Sequence, residues 1–160
     1  MRNICLRTKR LMIYPKGLKE MEELYRNEKN PEMKQVYREM ADEMKKSPGR
    51  EEWASDWTIS LLDGTIIGGI GFKGVPNSEG KVEIGYGIEP EFWNTGYATE
   101  AVKAMTEWAL SEADVLCVQA QTEKQNEKSK RVLRKNGFTE AGMGAEGPLF
   151  EITREKKQNG

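Results

Sequence analysis

The stretch "WNTGYATEA", residues 93 to 101, sets Gly96 between an aromatic loop and a run with helical spacing, with no lysine or arginine between Lys81 and Lys103. A helix starting there leaves the N–H groups of its first turn unpaired and turns the positive end of its dipole outward. Such an end can bind phosphate through backbone alone. Two roles fit the local pattern: Thr95 or Gly96 caps an ordinary helix, or the backbone at Gly96 comes close to an anionic ligand.

The chain contains no histidine, which removes Ser-His-Asp and Cys-His catalysis and histidine-ligated metals from the choices. A general base must then be a carboxylate, a perturbed lysine, a tyrosine or water. Glu83 stands in "KVEIGYGI", on the face opposite Val82 and Ile84. It fits a base acting directly or through water, and it equally fits an exposed strand residue paired with a cross-strand lysine. Cys5 and Cys117 have neither CxxC nor metal-ligand spacing, so they read as reduced, buried thiols, and neither a disulfide nor a metal site is expected.

These residues need elements to hold them. "LRTKRLMIY", residues 6 to 14, reads as a first strand stopped by Pro15 and Gly17. Apolar spacing then predicts a helix over 18–26 and a second from Pro31, where Met33, Val36, Tyr37, Met40 and Met44 form a stripe. That stripe suits a core face of flexible side chains and also the wall of a pocket. "WTISLLDGTIIGGIGF" is two strands joined at Asp63-Gly64, and "KVEIGYGI" makes a third antiparallel strand. Trp53 and Trp57 at the entry to this sheet are expected to be buried. Ala101, Val102, Met105, Trp108 and Ala109 mark one face of the helix after Gly96. "DVLCVQAQ" is a buried strand, 126–135 a helix stopped by Asn136-Gly137, and "FTEAGM" and "PLFEITRE" the last strands.

Strand, two helices, three strands, helix, strand, helix and two strands give an α/β (α+β) class, a mixed sheet flanked by helices. At 160 residues one domain over 1–160 is expected, with 156–160 a frayed tail. The 25 basic and 26 acidic residues nearly cancel, so no global field draws the chain to nucleic acid or to a membrane. The first residues lack the apolar run of a signal peptide, and no stretch approaches the ~20 apolar residues of a membrane span. A cytoplasmic protein is expected.

"VEIGYGIEPEFWNTGYATEAVKAMTEWAL" resembles the strand, loop and helix of the GNAT superfamily of acetyl-CoA-dependent N-acetyltransferases, and within it the ribosomal-protein N-terminal (alanine) acetyltransferase-like branch. The family's pyrophosphate loop, Gln or Arg, two residues, Gly, one residue, Gly or Ala, maps onto Trp93, Asn94, Thr95, Gly96, Tyr97 and Ala98, followed by Thr99. Trp93 departs from the Gln or Arg of that pattern. Further on, "NEKSKRVLRKNGF" resembles the family's second motif, with Asn126 toward the pantetheine or its neighbouring strand and Ser129 on the flanking helix.

The resemblance implies a GNAT-like, mostly antiparallel sheet whose fourth and fifth strands, "KVEIGYGI" and "DVLCVQAQ", splay into a cofactor cleft. The pantetheine of acetyl-CoA, used as co-substrate without a metal, would pair with the backbone at Tyr86, Gly87 and Ile88, and the N–H of residue 88 would face the thioester oxyanion. Glu83 and Ser129 are the catalytic candidates. Leu133 stands where many members carry a thiolate-protonating tyrosine, leaving Ser129, Tyr86 and Tyr97 as nearby hydroxyls.

The partner is an amine. A protein α-amine with pKa near 7.8 is roughly 15% neutral at pH 7 and a lysine roughly 0.04%, so an N-terminus needs only a weak base. A protein or peptide N-terminus, a small amine (amino acid, polyamine or aminoglycoside) and a catalytically silent acyl-CoA-binding module all remain open at this level. A homodimer paired through strand edges is a further expectation.

Overall fold

The structure, a computed structural model, describes residues 1–154. The tail read at 156–160 lies outside them. Its elements run β1 (Leu6–Arg7), β2 (Leu11–Pro15), α1 (Leu18–Asn27), α2 (Pro31–Lys46), β3 (Asp56–Leu61), β4 (Ile66–Phe72), β5 (Lys81–Ile88), α3 (Tyr97–Ser111), β6 (Cys117–Gln121), α4 (Glu127–Lys135), β7 (Thr139–Met143) and β8 (Pro148–Thr153). No helix among them is long and apolar enough to cross a membrane.

The strand expected over 6–14 is in fact a hairpin. Thr8 Oγ1 accepts the Leu11 N–H at 3.0 Å, a local side-chain bond that competes with an extended strand, and β1 folds back antiparallel on β2. The turn leaves Arg10 beside the start of α3. Asp63 and Gly64 make the expected turn between β3 and β4: Asp63 Oδ1 accepts the Thr65 N–H at 2.9 Å, and Gly64 takes the left-handed φ of 94° that glycine tolerates.

The eight strands form one sheet in the order β1-β2-β3-β4-β5-β6-β8-β7. Only the β5–β6 pair is parallel, and it is short: Lys81, Val82 and Glu83 pair with Cys117, Val118 and Gln119. Beyond Glu83, β5 stays on β4 as far as Ile88, whereas Ala120 and Gln121 of β6 pair only with β8. The sheet therefore splits into a wedge-shaped gap.

Two cores hold this arrangement. Ala101, Val102, Met105 and Ala109 of α3 are buried against Ile13, Trp57, Ile70, Ile84 and Val118 of the sheet. Burial of a side chain the size of Met105 contributes about 1.5–3 kcal/mol, so α3 is fixed with its N-terminus at the gap. Trp53 and Trp57 are fully buried, as the sequence predicts. A second, smaller core joins α1 and α2 through Met21, Ala41, Met44 and Ala54. The methionine stripe of α2 divides accordingly: Met44 is buried, while Met33 and Val36, nearer the N-terminal end, are exposed. Cys117 is buried, but Cys5, near the chain start, is exposed, contrary to expectation.

Candidate functional site

The free edge of β5 carries backbone groups that the sheet does not use. Glu89 N–H donates to the Ile67 carbonyl at 2.8 Å, so by the alternation of an antiparallel ladder the N–H groups of Tyr86 and Ile88 face away from β4, into the gap. Gly87 turns its own amide toward Gly69 of β4. It lines the gap as bare backbone rather than as a donor. The Ile88 carbonyl is already taken, because Trp93 Nε1 donates to it at 2.7 Å. Trp93 thus fastens the loop to the end of β5.

From Ile88 the chain passes through a 3-10 turn at Pro90–Phe92 and enters α3 with Asn94 at φ 62° and Gly96 at φ 83°, both left-handed. These reversals turn successive amides toward one side. Trp93 N–H and Glu100 N–H are satisfied, by Pro90 and Gly96 carbonyls. Among the described residues, the N–H groups of Asn94, Thr95, Gly96, Tyr97, Ala98 and Thr99 find no acceptor, and no side chain caps α3. Unpaired amides at a helix start form an anion cradle. A side chain at position 96 would bring its Cβ to 3.3 Å from Arg10 Nη2.

A clasp, invisible in the motif itself, holds the cradle in shape. Arg10 Nη1 donates to the Thr95 carbonyl at 2.9 Å and Nε to Glu100 Oε1 at 2.7 Å, while the guanidinium stacks 4.3 Å from the centre of the Tyr97 ring. Thr8 Oγ1 also donates to Glu100. Burial pushes the Glu100 carboxyl up, but the hydrogen bonds from Thr8 and Arg10 outweigh it and hold the group below its ordinary pKa. Tyr97, with Phe92 packed edge-on, is thereby part of the loop's frame.

The opposite wall is α4. Asn126 caps it, its Oδ1 accepting the Ser129 N–H at 3.1 Å. Ser129 Oγ lies 2.8 Å from the Tyr86 hydroxyl, a bridge from α4 to β5 across the gap. Burial raises the Tyr86 phenol above its ordinary pKa despite that hydrogen bond, so Tyr86 keeps its proton. Leu133 is fully buried in the core.

Together these walls enclose a cavity of about 540 Å³. Of the residues assigned to the cofactor from sequence, Tyr86, Gly87, Ile88, Trp93, Asn94, Gly96, Tyr97, Ala98, Thr99, Asn126 and Ser129 all line it. Thr95 does not; its hydroxyl donates to the Phe92 carbonyl at 2.7 Å and pins the loop. Phe92, Lys128, Arg131, Val132 and Lys135 also line the cavity, and the motif reading missed them. The spacing of the three cations on one helix face was the available signal. Glu83 lies outside the lining, where β5 and β6 are still paired, with Oε2 at 2.6 Å from Lys73 Nζ and Oε1 accepting from Gln121 Nε2 at 3.1 Å.

A mixed sheet that opens between two parallel strands onto an amide-lined helix start offers an anion site with a free strand edge beside it. The chain belongs to the GNAT acetyltransferase family, whose Acetyltransferase (GNAT) domain matches residues 10–139. It is similar to the uncharacterized N-acetyltransferase YjdG of Bacillus subtilis (strain 168), 37% identical over 83 residues that cover 51% of this chain and 49% of that protein. The chain spans about half the length of the curated relatives it matches. Its fold is similar to that of the ribosomal-protein-S5-alanine acetyltransferase from Vibrio fischeri, with TM-score 0.73 at 15% identity over 98% of this chain and 100% of that one. It is also similar to RimJ of Mycobacterium smegmatis, solved in complex with CoA-disulfide, with TM-score 0.71 at 17% identity over 98% and 89% of the two chains.

Proposed function

We propose that this chain is an acetyl-CoA-dependent N-acetyltransferase that modifies a primary amine, a protein or peptide N-terminus before a small amine. The observation that carries the reading is the run of unpartnered N–H groups from Asn94 to Thr99 opening into the gap between β5 and β6. This donor set suits a diphosphate at the loop and an extended, amide-bearing arm along the free edge of β5.

Acetyl-CoA supplies an activated acyl group: the acceptor nitrogen bonds to the thioester carbonyl carbon as the C–S bond breaks. The chain's own groups do the rest. The Ile88 N–H, which faces the gap, can stabilise negative charge on the thioester oxygen. Tyr86 and Ser129 form a hydrogen-bonded hydroxyl pair in the cavity lining, and the neutral Tyr86 phenol can return a proton to the departing thiolate. Neither cysteine lines the cavity, and burial beside Glu151 pushes the Cys117 thiol up to about 11, which supports direct transfer over a cysteine-bound acyl group. Lys73 is held as a cation, because Glu83 and Glu146 outweigh the effect of its burial. The acceptor proton therefore falls to Glu83 or to water.

The test is release of CoA thiol from acetyl-CoA in the presence of N-terminal peptides, amino acids, polyamines or aminoglycosides. Stimulation by peptides supports the reading, and stimulation by one small-amine class alone moves the acceptor there. Gly96→Glu, which puts a carboxylate into the amide cradle, is expected to abolish acetyl-CoA binding in calorimetry while circular dichroism stays native. Binding that survived this change would remove the cradle from the mechanism.

A further inference from the structure

The face of β5 opposite α3 is nearly bare. Glu83 is followed there, at the two-residue interval of a strand, by Gly85 and Gly87, while Val82 and Ile84 belong to the core on the other face. Gly85 and Gly87 are exposed, a Cβ added at either meets no atom within 4 Å, and neither has a left-handed φ. Neither space nor backbone geometry calls for glycine, and glycine inside a strand weakens it. The β4 side of the strip is closed by polar atoms: a Cβ on Gly69 would stand 2.7 Å from Asp56 Oδ1, and one on Gly71 2.7 Å from the Ser55 carbonyl oxygen. Gly87 also lines the cavity, so the strip leads into the gap.

The Glu83 end of the strip holds an ammonium between two carboxylates. Lys73 Nζ lies 2.6 Å from Glu83 Oε2 and 3.5 Å from Glu146 Oε2. Glu146 belongs to the turn between β7 and β8, on the far side of the split in the sheet. Gln121 sets its place, with Oε1 accepting the Glu146 N–H at 2.9 Å and Nε2 donating to Glu83 Oε1 at 3.1 Å. A Cβ on Gly144 of the same turn would run into Gln121 Oε1, so the turn docks on the glutamine only because that side chain is absent. A cross-strand ion pair requires Lys73 and Glu83 alone. The second carboxylate, the glutamine that places it and the bare strip that leads away from both fit a cation that arrives from outside.

We propose that Glu83 and Glu146 anchor a lysine or arginine side chain of the acceptor, that Lys73 is the resident occupant which this side chain displaces, and that the acceptor is a peptide with a basic residue close behind its N-terminus. This rests on the acetyltransferase reading of the cleft and names the substrate class it serves. Glu83 and Gly87 are about 13 Å apart along the strand. With the N-terminal amine over Gly87 and the main chain extended on the strip, a cation at the third, fourth or fifth residue reaches the two carboxylates. The polar wall of Asp56 and Ser55 suits peptide N–H groups, which the methylene segments of a polyamine lack. Exchange of one ammonium for another leaves the charge beside Glu83 unchanged, so its part in proton transfer is a separate question.

The test is steady-state CoA release by the whole chain at saturating acetyl-CoA, with spermidine and with peptides that differ only in lysine or glutamine at their third, fourth or fifth residue. The unaltered protein should give at least one lysine peptide a KM below that of its glutamine twin at equal kcat. Lys73→Met should lower the KM of that lysine peptide by about a further threefold, the scale of an exposed ion pair, while its twin keeps its value. Adding Glu146→Gln should abolish the difference. This peptide-by-variant cycle separates displacement from support of the fold by Lys73, which would move both peptides alike. Gly85→Leu, at a position with room for a side chain, is a second probe: it should raise the KM of both peptides severalfold and leave acetyl-CoA binding unchanged. Equal KM for the two peptides in Lys73→Met, or an unchanged KM in Gly85→Leu, overturns the proposal while the acetyltransferase reading stands. A Lys73→Met gain confined to spermidine overturns it equally and moves the site to small amines. If no amine stimulates CoA release by the unaltered protein, the acetyltransferase reading itself fails and the anchor falls with it.

Discussion

At Glu83 an ion pair and a proton transfer compete for one carboxylate. Lys73 is half exposed, with 50% of its side-chain surface accessible, and such pairs contribute only about 0–1 kcal/mol. The lysine can therefore move aside without a large cost. Glu83→Gln keeps the shape and the Gln121 neighbour but cannot accept a proton. It is expected to slow acetyl transfer most at low pH, where the acceptor is most protonated, and to leave acetyl-CoA binding intact. A pH–rate profile unchanged in shape would assign Glu83 to its pairing with Lys73 alone. Both roles were legible in "KVEIGYGI", since a charged residue alternating with Val82 and Ile84 must face away from the core. What the strand could not reveal is that the lysine lies just beyond β4 and that Gln121 of β6 closes the other side.

At the scale of elements, the start of α3 depends on the turn between β1 and β2. Glu100 binds Arg10 and Thr8 from that turn, and its depressed pKa has a definite sign. A carboxylate bound more tightly when ionised adds stability that is fully present above its unfolded pKa and is lost as pH falls through the folded one. The clasp should therefore be intact at neutral pH and weaken below the ordinary glutamate range, near 4.5. Thermal unfolding followed from pH 6 to pH 3 should show a smaller acid-induced loss in Glu100→Gln than in the unaltered protein. Equal losses would show that Glu100 contributes nothing to the pH dependence. The helix and its buried face were legible from Ala101, Val102, Met105 and Ala109. The clasp was not, because "LRTKRLMIY" reads as one continuous strand and Arg10 reaches Glu100 only after the chain turns at Thr8. The cations of α4 escaped for a related reason: Asn126 and Ser129 are recognised as motif residues, but whether a cation faces the cleft or pairs with Glu127 or Glu140 is decided by how α4 packs.

For the whole molecule, the consequence lies in how its two parts of the sheet meet. β1 to β5 form one continuous antiparallel run, β6 to β8 another, and only the Lys81–Glu83 segment of β5 pairs with β6. Further connections include the packing of α3 against strands on both sides, the Gln121–Glu83 hydrogen bond, the Lys73–Glu146 ion pair and the Tyr86–Ser129 bridge. A ligand that fills the gap touches β5, the α3 loop and α4 at once, so it adds contacts between parts that the chain itself joins sparsely. Binding to the folded state alone stabilises by about 2.7 kcal/mol at a ligand concentration one hundred times the dissociation constant. For a chain of this size that corresponds to a rise in unfolding temperature of about 5 to 11 °C. The gain should also be distributed in a particular way: acetyl-CoA should slow hydrogen exchange at Tyr86 and Ile88 and at residues 94 to 99, and also in β6 and α4 across the gap. Protection confined to 94–99, even with the full temperature rise, would mean that the ligand sits on the amide cradle without entering the sheet. The thioester would then be held away from Ile88 and Tyr86, and the transfer chemistry assigned to the gap would have to be placed elsewhere.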